Sequence, residues 1–313
     1  MRDLQTAGLI ERRVGSGSFV SRPGTPGGHS FGLLIPDLGE TDIFEPICRG
    51  MMASPLARTH ALLWGNVAAA RASHAEHAWN LCSQYIARGV TGVFFAPLEF
   101  GPNRDQVNGR ILAALDEAAI PTILLDRTVG PYPDPGTHDL VALDNRRAGY
   151  VMTRHLLTLG CRRVVFLAKR EAASTVDARE AGYREAVSKE GKGSEGVVLR
   201  VEAVTDEAVR ALVDGLLPPD GIVCANDRTA GEVVQSLARI GRRVPGDVRL
   251  VGIDDVGYAQ LLPVPLTTFR QPAAALGDTA LSVMLDRVAR PDRPQRDTLL
   301  HGQLIVRASC GST

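Results

Sequence analysis

The sequence predicts an α/β fold of two doubly wound parallel-sheet lobes joined by a hinge, with a β-hairpin at the N-terminus. Two observations carry this reading. From Phe31 onward, short apolar runs alternate with amphipathic helical segments, which is the pattern of parallel βαβ units. That pattern restarts near Arg163, and TGVFFAP (91–97) and DGIVCAN (220–226) occupy equivalent places in the two halves.

Residues 1–20 form a unit of their own. Leu4 and Ala7 belong to a helix end that stops at Gly8, a good C-cap residue. Leu9–Arg13 alternates as a strand, glycines stand at 15 and 17, and Ser18-Phe19-Val20 returns as a second strand. A phosphate loop would need a helix after Gly15-x-Gly17, and a strand follows instead. Residues 21–30 (SRPGTPGGHS) are rich in Pro, Gly and Ser without apolar periodicity, and read as a linker.

The domain beyond the linker is expected over residues 31–310. Its N-lobe would comprise residues 31–137 and 270–292, and its C-lobe 138–269 and 293–310. Strands are expected at residues 31–36, 61–66, 92–96, 121–125 and 140–143. Helices are expected at 44–56, 72–88, 104–119 and from Asn145 to about 159. The second series has strands at 163–168 and 197–201, with helices at 176–189 and 206–217. After it come LLPVPLTTFRQP, a helix over 273–289 and a last strand near 303–307. The tail is too short to be a lobe and is expected to return to both.

Asp220–Asp255 organises the rest. Two apolar strands, 221–225 and 248–253, end in Asn226-Asp227 and Asp254-Asp255. Between them Ala230, Val233, Val234, Leu237 and Ile240 fall at helical spacing. In open parallel sheets ligands bind outside the carboxyl ends of the strands, where these polar pairs stand. Asp227 is assigned to helix capping, and Asn226 and Asp254 to a ligand. Asp254 and Asp255, adjacent at a strand end, point to opposite faces, so one is expected to face the ligand and the other the backbone, and they do not act as one acid/base pair.

Composition narrows the function classes. The chain has 313 residues, 44% hydrophobic and 22% charged, with formal net charge +0, so no global field favours nucleic acid. Five scattered cysteines without metal-ligand spacing read as reduced, buried thiols. His74 and His77 share a helix face but lack further ligands. No G-x-S-x-G elbow is present, no apolar run spans a bilayer, and MRDLQTAGLIERR has no signal-peptide core. No catalytic residue, metal or cofactor is expected, and the location expected is the cytoplasm, without membrane contact.

Two resemblances follow. The stretch GLIERR then GSGSFV resembles the wing of a GntR-type winged helix-turn-helix. The resemblance implies that Arg12 and Arg13 and the tip Gly15, Ser16 and Gly17 contact DNA, a role that arginines and exposed N–H groups suit. The alternative is a solvated hairpin. The family's base-reading helices would lie upstream of Met1. The favoured expectation is a start further upstream; the other is a copy that no longer reads DNA.

FGLLIPDL, LVALDNRRAGYVMTRHLLTLGCRRVVFLA, DAREAGY, CANDRTAG, VPGDVRLVGIDD and PLTTFRQPAAALG, in this order, resemble the effector domain of LacI/GalR-type regulators over about residues 31–307. That resemblance implies a type I periplasmic-binding-protein-like fold, a sugar or sugar derivative held between the lobes, homodimerisation, and operator affinity altered by ligand. A GntR-type wing ahead of such a sensor is similar to the arabinose-repressor arrangement. Carried over by position, the ligand-facing residues are Asp126, Arg179, Asn226 and Asp254, with Phe44 and Asp37 on another wall. Carboxylates, an amide and a guanidinium suit sugar hydroxyls, which both donate and accept. The alternatives are an Arg179 salt bridge to Glu180 or Asp177, an Asp126–Arg127 pair and a core role for Phe44. Ala273 stands where some relatives place an aromatic ring. The function expected is a ligand-responsive transcriptional regulator that acts as a repressor; the alternative is a stand-alone cytoplasmic sugar-binding protein.

Overall fold

The computed structural model describes residues 11–13, 17–19, 28–36, 42–65, 73–101, 103–191 and 196–312. At the N-terminus β1 (Glu11–Arg13) and β2 (Gly17–Phe19) pair antiparallel, with Arg13 opposite Gly17. The rest forms two compact units, the first ending at Ala142 and resuming over Ala273–Leu300, the second comprising Leu143–Pro272 and His301–Thr313.

The first unit is built on a six-stranded sheet of β3 (Ser30–Leu34), β4 (Ala61–Trp64), β5 (Gly92–Phe95), β6 (Thr122–Leu125), β7 (Asp139–Leu143) and β13 (Asp297–Leu300). The order is β13-β7-β6-β5-β3-β4, and the neighbours from β7 to β4 are parallel. Alternate side chains of each strand point to opposite faces, so both faces carry an apolar layer. Phe31, Leu33, Phe94, Ile123 and Leu125 pack on one side against α1 (Phe44–Ala53) and α8 (Ala273–Ala289). Leu34, Val93, Phe95 and Leu124 pack on the other against α2 (His74–Arg88) and α3 (Arg104–Glu117). A reciprocal Ser73–Glu76 capping box starts α2 and left-handed Gly89 ends it. Glu76 is thereby occupied as a cap.

The second unit repeats the plan. Its parallel sheet has the order β11-β10-β8-β9, from β8 (Val164–Lys169), β9 (Val197–Val201), β10 (Gly221–Cys224) and β11 (Arg249–Val251). Phe166, Val223 and Val251 pack against α4 (Asn145–Thr158) and α5 (Ser174–Glu190). Leu167, Ile222 and Leu250 pack against α6 (Asp206–Val213) and α7 (Asp227–Arg239). A short antiparallel pair, β12 (Thr268–Arg270) with β14 (Gln303–Ile305), completes it. The expected double winding is present in both units.

Several boundaries differ from expectation. The units change over at 142/143, 272/273 and 300/301, later than the expected 137/138, 269/270 and 292/293. The reason is pairing: β7 and β13 both belong to the first sheet, and β13 was not foreseen. The helix expected to reach residue 217 ends at Val213, because Asp214 caps it and Gly215 and Pro218 interrupt the period. Leu216 and Leu217 are therefore exposed. The last strand stops at Ile305 rather than about 307.

Glycines set how closely paired helices approach. In the first unit, a Cβ on Gly50 would lie 2.6 Å from the Ala274 carbonyl oxygen, and one on Gly277 2.2 Å from that of Ile47. In the second, α4 crosses α5 so closely that a Cβ on Gly149 would lie 2.0 Å from the Arg179 carbonyl oxygen, and one on Gly182 1.9 Å from that of Arg146. Backbone cannot yield as a side-chain tip can, so substitution separates the helices. Gly149→Ala or Gly182→Ala is expected to cost about 2 kcal/mol or more, read as a lower midpoint in urea unfolding. Gly109→Ala on α3, where nothing lies within 4 Å, is expected to stabilise by about 0.5–1 kcal/mol.

Candidate functional site

In the second unit, polar groups gather beyond the carboxyl ends of β10 and β11. Arg179 reaches them from α5, and its side chain is only 4% exposed. A buried guanidinium is tolerated when each edge finds an acceptor. Nε donates to Asn145 Oδ1 at 2.7 Å, Nη1 to the Ala225 carbonyl at 2.7 Å and Nη2 to Asp254 Oδ1 at 3.2 Å. The alternative partners proposed from sequence, Asp177 and Glu180, both pair with Arg200. Asn145 Nδ2 in turn donates to the Leu143 carbonyl at 3.1 Å, which fixes the amide with its oxygen toward Arg179.

Asp254 is a convergence point. Its Oδ1 also accepts from Gln271 Nε2 at 2.8 Å, while Gln271 Oε1 is buried without a hydrogen-bond partner. Asp254 and Asp255 have φ of 129° and 56°, conformations that residues with a Cβ adopt at a cost. Asp255 turns its carboxylate to Arg270 and Arg307, each at 2.6 Å. The expectation that one of this aspartate pair faces backbone is thus replaced by a two-arginine clamp.

The helix cap expected at Asp227 is made by Asn226 instead. Asn226 is the N-cap of α7, its Oδ1 accepting from the Thr229 N–H at 2.8 Å. Asp227, one residue inside the helix, has no exposed surface and accepts from the Thr268 hydroxyl at 2.6 Å and the Val256 N–H at 3.1 Å. The extended backbone of Asn226 suits a cap, whereas the Asp227 side chain is directed to the segments after β11 and at β12. Burial, with the nearby Asp254 carboxylate, pushes Asp227 up to about 7.

In the first unit, Asp126 follows β6 with φ of 70°. It accepts from Arg127 Nε at 3.0 Å through Oδ2, and its buried Oδ1 has no hydrogen-bond partner. Arg127 also donates to Glu99 at 2.8 Å and lies 5.7 Å from the Phe44 ring. Burial opposes its charge, but Glu99 and Asp126 outweigh that and hold the guanidinium protonated above its ordinary range. Phe44 is fully part of the core, so it packs whatever else it does.

Arg179 and Asp254 are thus bonded together, with Asn226 on the adjoining strand end, and Asp126 and Phe44 are both in contact with Arg127. Asp37, Gly15 and Ser16 lie outside the described residues, and for Arg12, Arg13 and Gly17 the backbone pairing of β1 with β2 is what is described. Sequence reasoning passed over Gln271 and Asn145. The signal was there: both stand in the quoted stretches, Gln271 directly after β12 and Asn145 two positions past β7. Among the described residues no group of three or more His, Cys, Asp or Glu could hold a metal ion. No described helix is long and apolar enough to cross a membrane. All five cysteines are buried and unbridged.

A periplasmic binding protein-like domain model matches residues 153–310. The HTH-type transcriptional regulator YvdE of Bacillus subtilis is 30% identical over 173 residues, 55% of this chain and 55% of that protein. The ribose operon repressor of Escherichia coli is 28% identical over 194 residues, 61% of this chain and 58% of the repressor. The chain thus spans little more than half the length of these curated relatives. A LacI family transcriptional regulator from Enterococcus faecium, solved with bound ribose, superposes with a TM-score of 0.67 at 23% identity, covering 90% of this chain and 98% of that one. At this identity the likeness is one of fold.

The unfolded chain ionises Asp227 near pH 4, whereas the folded chain keeps its proton up to about pH 7. The stability carried by the neutral form is full below about pH 4 and is lost as the pH rises to about 7. The slope is at most about 1.4 kcal/mol per pH unit. Asp227→Asn is expected to flatten this part of a stability–pH profile measured by urea unfolding.

Proposed function

The chain belongs to the family of periplasmic binding protein-like domains, and on that premise we propose that it is the sensor of a ligand-responsive, cytoplasmic transcriptional regulator that acts as a repressor. Its effector is a small sugar or sugar derivative. The observation that carries this reading is the Arg179–Asp254–Gln271 group, with a buried Gln271 oxygen that no protein group satisfies. Buried polar atoms are normally paired, and a sugar hydroxyl, which donates and accepts at one atom, suits an amide oxygen beside a carboxylate. Asn226, directly after the Ala225 carbonyl that Arg179 holds, contributes its amide beside them. That one relative is a ribose operon repressor supports a sugar.

The remaining parts of the regulator follow from the sequence resemblances. The β1–β2 hairpin serves as the wing, and Arg12, Arg13 and the tip at Gly15–Gly17 approach operator DNA. Two copies of the chain act together, so that a change in either copy alters their joint grip. Ligand acts by its differential affinity for the DNA-binding and released states.

A thermal-shift screen of pentoses, hexoses and their phosphates tests the sensor. One sugar is expected to raise the melting temperature, and Arg179→Ala to abolish that rise. Gln271→Leu, which keeps the shape and removes the acceptor, is expected to weaken binding about tenfold, or about 1.4 kcal/mol. Affinity unchanged in Gln271→Leu removes this residue from the site. No shift with any sugar overturns the effector class.

A further inference from the structure

Asp227 is distinct from the polar groups around Arg179. It has no exposed surface, so no effector can touch it, yet its bonds surround Asp254 on both sides in sequence. Before Asp254, the Asp227 N–H donates to the Ile253 carbonyl at 2.9 Å. After it, the Val256 N–H donates to Asp227 Oδ2 at 3.1 Å. The intervening Asp255 N–H donates to Thr268 Oγ1 at 3.3 Å, and that hydroxyl in turn donates to Asp227 Oδ1 at 2.6 Å. Three consecutive peptide groups flanking the effector carboxylate therefore end on one buried residue.

Those peptides need holding. Asp254 and Asp255 both have positive φ, which persists in residues with a Cβ when surrounding bonds over-determine it. The approach depends on a glycine, since a Cβ on Gly252 would lie 2.3 Å from Asp227 Oδ1. A plain helix cap would not explain the arrangement, because Asn226 already caps α7.

Resting on the reading of Asp254 as an effector ligand, we propose that Asp227 is a positioning residue that sets both the placement and the electrostatic surroundings of Asp254, and so couples effector affinity to its own protonation. The groups that face Asp227 support this. Asp254 and Asp255 raise its proton affinity, as does burial. From β10 the Cys224 thiol, itself pushed up by burial, stays neutral. The neighbouring cations are committed elsewhere, Arg179 to Asp254 and Arg270 and Arg307 to Asp255. A sugar hydroxyl donating to Asp254 favours the ionised pair. Binding then releases a proton, and affinity rises as the pH climbs toward about 7 and levels off above it.

Two measurements on wild type and Asp227→Asn test it. The first is amide hydrogen exchange of the ligand-free protein. Loss of the carboxylate is expected to speed exchange at Val256 about tenfold or more, while the amides of β8 remain protected. The second is calorimetric titration with D-ribose at three pH values spanning neutrality. Wild-type affinity is expected to rise about threefold or more from acid to alkaline, and Asp227→Asn to bind more weakly with a flat profile. Unchanged exchange at Val256 overturns the positioning role whether or not ribose binds. Unchanged affinity, or a pH slope retained in Asp227→Asn, overturns the coupling to Asp254. A wild type that ignores ribose but shows the exchange effect counts against ribose as effector while supporting the positioning role.

Discussion

A guanidinium buried at Arg179 is the constraint that the second unit answers. Removing such a charge from water costs several kcal/mol unless hydrogen bonds replace its hydration. The fold supplies them from separate pieces of chain: an amide at the start of α4, a carbonyl beyond β10 and a carboxylate beyond β11. None of these acceptors would be in place without the sheet, because β10 and β11 become neighbours only by pairing. The charge in turn fixes where those three segments end. Packing and site geometry are here the same problem.

The close crossing of α4 and α5 connects backbone shape to that charge. Gly149 lies against the carbonyl of Arg179 itself, and Asn145 precedes Gly149 by about one helical turn. Wider spacing would carry Arg179 away from Asn145 as well as opening the core around Met152 and Tyr183. The glycines thus permit a contact that is apolar in kind and polar in consequence. Gly50 and Gly277 allow the same close approach of α1 and α8 in the first unit.

Each unit also carries an aspartate of positive φ just beyond a parallel strand, bonded to a buried arginine: Asp126 with Arg127, and Asp254 with Arg179. Conformations of this kind cost roughly 1–3 kcal/mol and collect where geometry serves a ligand. The support differs. Asp126 leans on its sequence neighbour Arg127, which Glu99 also holds, whereas Asp254 is held by Arg179, Gln271 and, through the backbone, Asp227.

Apolar periodicity was enough to place most strands and helices, because burial on both faces of a parallel sheet leaves continuous apolar runs that few other structures produce. The helix over Ala273–Ala289 and the strand over Val197–Val201 stand where the pattern puts them. Short tail strands such as β12 and β13 were silent, since three or four residues with mixed burial have no period to detect. The sequence named the polar tips Asp126, Asn226 and Asp254, and the Arg127 partner of Asp126 as an alternative, but not the partners of Asn226 and Asp254. Whether Asn226 or Asp227 caps the helix, and whether Arg179 meets Glu180 or Asp254, depends on which way a side chain leaves its backbone and on what lies there. Both choices are made by contacts between residues 34 to 75 positions apart, from Asn145 and Thr268 to Asp254. Local sequence carries the burial pattern, but only the folded chain brings distant acceptors to a buried charge.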